Sequence, residues 1–281
     1  MESVSSNQIY AVTIWYHPMS QEADVIRLYQ PDVAGVIVVD NSEEDNSALL
    51  ADNPSVVYLP LRENKGIAAA LNVGCSKALE LGAVWALTMD QDSQWNQHTV
   101  KQYIAEVNEY ADIERTAIFS PFHDCDGHPE THKRPGRFQE LRIIMCSGNL
   151  LRLQAWREAN GFMEDFFIDS VDDEICCHLR NLGWKIVRAN EIFLTHHLGN
   201  GVQIVKIIRH PYTSHAAWRY YYIARNMRRM KHMYPEMSKY YAKCLRKELK
   251  RLCLYDWSDK CNKIRNYLKG LRDGRLSPAQ H

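Results

Sequence analysis

The sequence predicts an α/β fold, and two observations carry that expectation. Short β-branched apolar runs alternate with helix-compatible stretches through the first part of the chain, and each run ends on a cluster of polar side chains. Strands buried on both faces read as near-continuous apolar runs, and strands separated by helices of this length are joined by right-handed βαβ crossovers.

Taken in order, Ile9 to Tyr16 (IYAVTIWY) is the first strand, and Ser20 caps a helix (SQEADVIRLYQ) that Pro31 stops. Gly35 to Asp40 (GVIVVD) is the second strand and Val56 to Leu61 a shorter third. Gly66 to Leu81, rich in Ala and Leu, reads as a helix with Gly82 at its C-terminal cap. Ala83 to Met89 (AVWALTM) is the next buried strand. Cys125 to Arg137 mixes His, Pro, Gly and charge as a surface loop does; a strand is expected at Leu141 to Cys146, then a small-residue turn at Ser147-Gly148-Asn149. Val171 to Leu182 is helix-compatible, and from Trp218 the chain is basic, aromatic and helix-compatible to about Leu271, with a break at Tyr234-Pro235.

The 281 residues are 46% hydrophobic and hold 34 basic and 34 acidic side chains, a globular composition that excludes collagen-like and disordered classes. That neutrality is an average. Residues 219–275 hold 17 Lys and Arg against 5 Asp and Glu, while residues 1–218 hold 17 against 29. The expected organisation is a catalytic domain over 1–218 and a basic helical extension over 219–281. No window is apolar enough for a membrane span and the N-terminus lacks a signal peptide's basic-then-apolar pattern, so a cytoplasmic protein is expected. The eight cysteines are scattered, with no CxxC, and read as free thiols in a reducing compartment.

In open α/β sheets ligands bind beyond the carboxyl ends of the strands. Three polar clusters fall there: Asp40-Asn41-Ser42, Arg62 to Gly66, and Asp90-Gln91-Asp92-Ser93. Neither GxGxxG nor GxxxxGK[ST] is present, so a nucleotide would be held without those glycine-rich loops. Asp90 and Asp92 form a hard oxygen pair that suits Mg2+ or Mn2+ on phosphates; the plainer reading is two turn aspartates. Asp169, Asp172, Asp173 and Glu174 put four acids within six residues beside Phe166, Phe167 and Ile168. A helix N-terminus accounts for some of them, while desolvation would tune one as a general base. Thr195-His196-His197-Leu198-Gly199 offers an imidazole as a further metal ligand.

The ordered set VVDNS (38–42), NKGIAAALNVG (64–74), WALTMDQDS (85–93), CSGNLLR (146–152), FFIDSVDDEICCHLRNLGW (166–184), THHLG (195–199) and RYYYIARN (219–226) resembles the inverting family 2 glycosyltransferases of GT-A fold. The similarity is strongest to their rhamnosyltransferase branch. The resemblance implies that Asp40 contacts the nucleotide's base or ribose, that Asn64, Lys65 and Gly66 line the nucleotide pocket, and that Asp90 lies near the donor's ribose or sugar. It implies Asp92 as metal ligand on the diphosphate, with His196, matched by its spacing to Gly199, as another. The family's Glu-Asp catalytic motif falls on Val171-Asp172, which makes Asp172 the base and leaves Asp169, Asp173 and Glu174 as rivals. Arg219 and Arg225 are placed at the active-site mouth, toward donor phosphate or a lipid-diphosphate acceptor.

The expected activity is therefore transfer of a sugar, L-rhamnose from dTDP-rhamnose by branch resemblance, with a divalent ion as cofactor, to a glycan or lipid-linked acceptor. UDP-sugar donors stay open. Two other classes compete. A nucleotidyltransferase or metal phosphohydrolase would need a nucleophile or second metal cluster that no motif supplies. A nucleic-acid module on 219–275 would carry a strongly acidic partner domain and has no RRM, KH or zinc-finger pattern, so no nucleic-acid partner is expected. The basic, aromatic C-terminal helices instead suit contact with an anionic membrane face.

Overall fold

The computed structural model describes residues 3–124, 136–196, 203–205, 210–212 and 214–275. Its contacts divide the chain into two units: Met1–Glu164 with Ile175–His197, and Asp165–Glu174 with Leu198–His281.

The first unit is built on a nine-stranded mixed sheet flanked by helices. Strands β1 (Ile9–Trp15), β2 (Gly35–Asp40), β3 (Val57–Pro60) and β4 (Trp85–Asp90) run parallel in the order β3-β2-β1-β4. Helices α1 (Ser20–Tyr29) and α2 (Ile67–Glu80) make the crossovers, as the alternation of apolar runs and helical stretches predicts. Beyond β4 the sheet continues through β8 (Asn149–Arg152, antiparallel to β4), β6 (Thr116–Asp124), β9 (Lys185–His196) and the short β5 (Ser93–Gln94), with β7 (Phe138–Glu140) also on β9. Helices α3 (Thr99–Val107) and α4 (Leu153–Glu158) complete the unit, and α5 (Val171–Asn181) gives it all but its first turn. Trp15, Trp85, Trp95, Phe119 and Ile26 are fully buried in the core. β4 is flanked on both sides, so Asp90 closes a central strand.

The strand expected at Leu141 to Cys146 is not one. That segment is irregular, and its end is held by side chains of two strands: the Thr88 hydroxyl on β4 donates to the Cys146 carbonyl at 2.5 Å, and His123 Nε2 on β6 donates to the carbonyl of the next residue, Ser147, at 2.6 Å. The turn expected next is present at Ser147-Gly148, and Asn149, read as its last residue, instead opens the antiparallel strand β8.

The second unit joins the run Asp165–Glu174 to a hairpin, β10 (Gln203–Val205) with β11 (His210–Tyr212), and three helices, α6 (Arg219–Met233), α7 (Ser238–Leu254) and α8 (Lys260–Asp273). Tyr220, Ile223, Ala224, Leu252 and Tyr267 form its core. Besides the break at Tyr234-Pro235, α7 and α8 are separated at 255–259, where buried Asp256 accepts from Lys263 Nζ at 2.8 and 2.9 Å, from Ser214 and from Tyr220. Helix α8 approaches α6 on two glycines four residues apart: a β-carbon on Gly270 would lie 2.2 Å from the Tyr221 carbonyl oxygen, and one on Gly274 2.6 Å from that of Arg225. The units do not divide at 218/219. The acid run groups with the basic helices because its side chains bond there, as follows.

Candidate functional site

At the carboxyl edge of β1, β2 and β4 the polar clusters are tied to one another or to the end of β1. Asp40 is fully buried at the end of β2; its Oδ1 accepts the Ser42 amide at 3.0 Å, and its Oδ2 accepts Asn46 Nδ2 at 2.8 Å and the Tyr58 hydroxyl at 2.6 Å. Burial pushes this carboxyl up, and the hydrogen bonds from Ser42, Tyr58 and Asn46 outweigh it and hold the pKa below the ordinary value. Asn41 Nδ2 donates to Asn64 Oδ1 at 3.1 Å and its Oδ1 accepts the Lys65 amide at 2.8 Å, while Asn64 Oδ1 also accepts the Gly66 amide at 3.0 Å. Asn64, Lys65 and Gly66 are therefore bonded together through Asn41, while the Asp40 carboxylate, next to Asn41 in the chain, gathers Ser42, Asn46 and Tyr58. Lys65 itself is exposed, with Nζ 3.2 Å from Glu63.

Next along this edge, the Asp90 amide donates to Ser147 Oγ at 3.1 Å, and Gln91 makes a two-bond tie to the Tyr16 backbone at 2.7 and 3.2 Å. Asp90 is half-buried and Asp92 exposed. Asp92 borders an open cleft of about 570 Å3 with Gln21, Asp24, Leu28, Gln91 and Gln94. Ser93 pairs with His196 across β5 and β9, so the backbone of His196 is the cross-strand neighbour of the residue after Asp92. The His196 side chain and residues 197–199 of the THHLG motif lie outside the described residues. Ser147 and His123 are the site residues that sequence reasoning left without a role. The CSGN motif was the available signal, since a small polar turn before a strand is what a close approach to β4 needs.

In the second unit, Asp169, Asp173 and Glu174 have partners on distant helices. Asp169 takes a two-pronged ion pair from Arg219, with Nε and the terminal nitrogen at 3.0 and 2.9 Å. Asp173 Oδ2 accepts the Tyr241 hydroxyl at 2.9 Å, and fully buried Glu174 accepts that of Tyr234 at 2.5 Å. Burial raises the Asp173 carboxyl, and the Tyr241 hydrogen bond opposes it. Asp172 is half-buried in the first turn of α5, and its Oδ1 accepts the Asp173 amide at 3.0 Å. Arg225 is buried and donates to the carbonyls of Asp165 and Phe166. Both sequence-predicted arginines are thus engaged by protein acceptors. The run before α5 is strained: Phe167, Asp169 and Ser170 have φ of +59°, +65° and +60°. Each left-handed non-glycine residue costs on the order of 1–2 kcal/mol and is retained where its surroundings over-determine it.

Residues 23–155 match the family model described as glycosyl transferase family 2. The chain is 29% identical over 241 residues, 79% of each sequence, to the dTDP-rhamnosyl transferase RfbF of Shigella flexneri. These residues carry the likeness to glycosyltransferase family 2. Among solved structures the enzyme is similar to GalNAc-T7 with UDP, GalNAc and Mn2+, with a TM-score of 0.56 and 10% identity over 68% of this chain. A lower likeness is to S. aureus TarS, with a TM-score of 0.47 and 13% identity over 80% of this chain. The enzyme spans 44% and 39% of those two chains, respectively. The fold is the GT-A fold that the ordered motifs imply.

The residues of this glycosyltransferase fit a divalent ion of one kind. No group of three or more His, Cys, Asp and Glu side chains converges among the described residues. A hard ion such as Mg2+ or Mn2+ needs no such cage when phosphates and water supply most of its oxygens. An exposed Asp92 beside a half-buried Asp90 suits that mode of binding. Among the described residues all cysteines are free thiols, and no helix is long and apolar enough to cross a membrane.

Proposed function

We propose that the enzyme is an inverting rhamnosyltransferase that moves L-rhamnose from dTDP-rhamnose to a hydroxyl of a growing surface glycan or lipid-linked oligosaccharide. The observation that carries the transfer chemistry is the Asp90-Asp92 pair at the end of central strand β4, seated on Ser147. The donor's identity rests on the similarity to RfbF over 79% of both chains.

Asp40, Asn64, Lys65 and Gly66 would receive the nucleoside, with Asp40 acting through the loop it organises. Asp90 would face the sugar, and Asp92, with His196, would hold the divalent ion. That ion, when bound, offsets the charge of the departing nucleoside diphosphate. Asp172 is the base that takes the acceptor's proton as its oxygen attacks the anomeric carbon opposite the leaving group. What supports Asp172 over its rivals is the resemblance, which sets the family's Glu-Asp catalytic motif on Val171-Asp172.

The test is a thermal-shift panel with dTDP, UDP and GDP, each with and without Mn2+. dTDP should give the largest shift, a metal-dependent one, and Asp92→Ala should lose the metal-dependent part. A larger shift with UDP would reassign the donor, and no shift with any nucleotide would sink the reading.

The same proposal includes peripheral contact with an anionic bilayer. The outer face of α7 carries Lys239, Lys243, Arg246, Lys247 and Lys250 at helical spacing, and beyond it Leu254 and Trp257 are 49% and 71% exposed. Each basic side chain near such a surface contributes about 1 kcal/mol. Trp257→Ala with Lys247→Glu should weaken co-sedimentation with phosphatidylglycerol vesicles; unchanged sedimentation rules the contact out.

A further inference from the structure

We propose that Asn226 is a positioning residue for transfer: its side-chain amide holds the left-handed run ahead of α5 in one conformation and thereby sets where Asp172 stands. This rests on the assignment of Asp172 as the base.

Asn226 is fully buried on α6. Its Nδ2 lies 2.9, 2.8 and 2.8 Å from the carbonyl oxygens of Phe166, Ile168 and Asp169, so one amide group answers three carbonyls. Its Oδ1 accepts from Arg225 Nε at 2.9 Å, which fixes the amide's orientation. The rest of the same helix face finishes the hold. Arg225 donates to the Asp165 and Phe166 carbonyls, the Tyr222 ring stacks on Phe167 with centroids 5.0 Å apart, and Arg219 clasps the Asp169 carboxylate. Positions 219, 222 and 226 share one side of α6, so the RYYYIARN segment reads as a single brace for residues 165–169.

The chemistry of the site demands an amide. Backbone that turns left-handed at Phe167, Asp169 and Ser170 directs its carbonyls inward, where no strand ladder can answer them. Aspartate at 226 would set a carboxylate against three acceptors, and alanine would take the side-chain donor from the Ile168 and Asp169 carbonyls and leave that of Phe166 to Arg225 and the Ile168 amide. The turn feeds directly into the helix, since the Glu174 amide bonds to the Ser170 carbonyl at 3.0 Å across the first turn that contains Asp172. An error at 167–170 is passed to the base with nothing between to absorb it.

The experiment uses the full chain with Asn226→Ala, Asn226→Asp and Asp172→Asn side by side, reading nucleoside diphosphate release from dTDP-rhamnose and amide hydrogen exchange. Both Asn226 variants should lower kcat by about tenfold or more with donor KM changed by less than about threefold, because misplacing a reacting group costs rate rather than ground-state binding. Amides of 167–174 should exchange faster while those of β1 and β4 do not. Adding Ser170→Gly to Asn226→Ala should restore part of kcat, since glycine adopts this backbone without penalty; a generic packing defect would gain nothing from it. Unchanged kcat, or unchanged exchange at 167–174, overturns the proposal. If Asn226→Ala does not fold, the double variant decides: folded and active supports the brace, and unfolded refutes it. Turnover retained by Asp172→Asn would instead remove the base, while the exchange data still report on the brace.

Discussion

The two units organise their carboxylates in opposite ways. In the first, Asp40 is ionised and held by neutral donors from its own neighbourhood, Ser42, Asn46 and Tyr58, at separations of 2, 6 and 18 residues. In the second, Asp169, Asp173 and Glu174 are held by Arg219, Tyr241 and Tyr234, at separations of 50, 68 and 60 residues. The lesson is about what each design makes fragile. A loop stitched to itself keeps its shape if a distant helix shifts, whereas an acid run held by distant helices has its conformation dictated by them.

The largest effect that would sharpen this comparison is a contrast of two aspartates. Asp172→Asn should lower turnover by roughly 10²–10⁴-fold, the usual contribution of a general base, with nucleotide binding retained in the thermal-shift panel. Asp92→Ala should do the reverse in kind, weakening metal-dependent nucleotide binding. If both variants lost binding alike, the division of labour between β4 and α5 would be wrong.

A smaller effect tests the local stitching. Tyr58→Phe removes one donor to a buried carboxylate and should cost roughly 1.5–3 kcal/mol in urea denaturation. Because the Asp40 pKa is depressed in the folded state, its contribution is present above the unfolded pKa and lost as pH falls through the folded one. Tyr58→Phe should therefore flatten the acid limb of the stability profile, and an unaltered limb would show that Asp40 is held by other means.

The smallest effect lies in the second unit. Burial, with Arg219 and Arg251 nearby and only partial relief from Asp169 and Asp256, lowers the His215 pKa to about 4 from its ordinary 6.5. The unfolded chain then binds more protons between those values, so stability is full above pH 6.5 and declines as pH falls toward 4. His215→Gln should reduce that slope, measured as melting temperature against pH, and leave the Asp40 limb in place.

These separations also explain what could be read in advance. The parallel half of the sheet, the α1 and α2 crossovers and the polar edge at Asp40, Asn64 and Asp90 were legible because strand, turn and ligand-facing residue are adjacent in sequence. The antiparallel half was less so: β8 follows a turn whose shape is set by Thr88, His123 and Asp90, none of them near Ser147 in the chain. The acids at 169–174 were conspicuous as a cluster, but their separate duties were invisible, since a tyrosine 60 or more residues away leaves no local trace. The duty of Asn226 is hidden for the same reason, since its carbonyl partners lie 57 to 60 residues back in the chain.

The close crossing of α8 over α6 works in the other direction, from structure back to sequence. Backbone atoms of Tyr221 and Arg225 occupy the space where side chains at 270 and 274 would go. A relative that keeps this crossing must keep both positions bare, and one that fills either must carry its last helix elsewhere. Glycines spaced as in Gly270-Leu271-Arg272-Asp273-Gly274, downstream of an arginine-tyrosine helix, are thus a search key for this C-terminal architecture in chains whose overall similarity has faded.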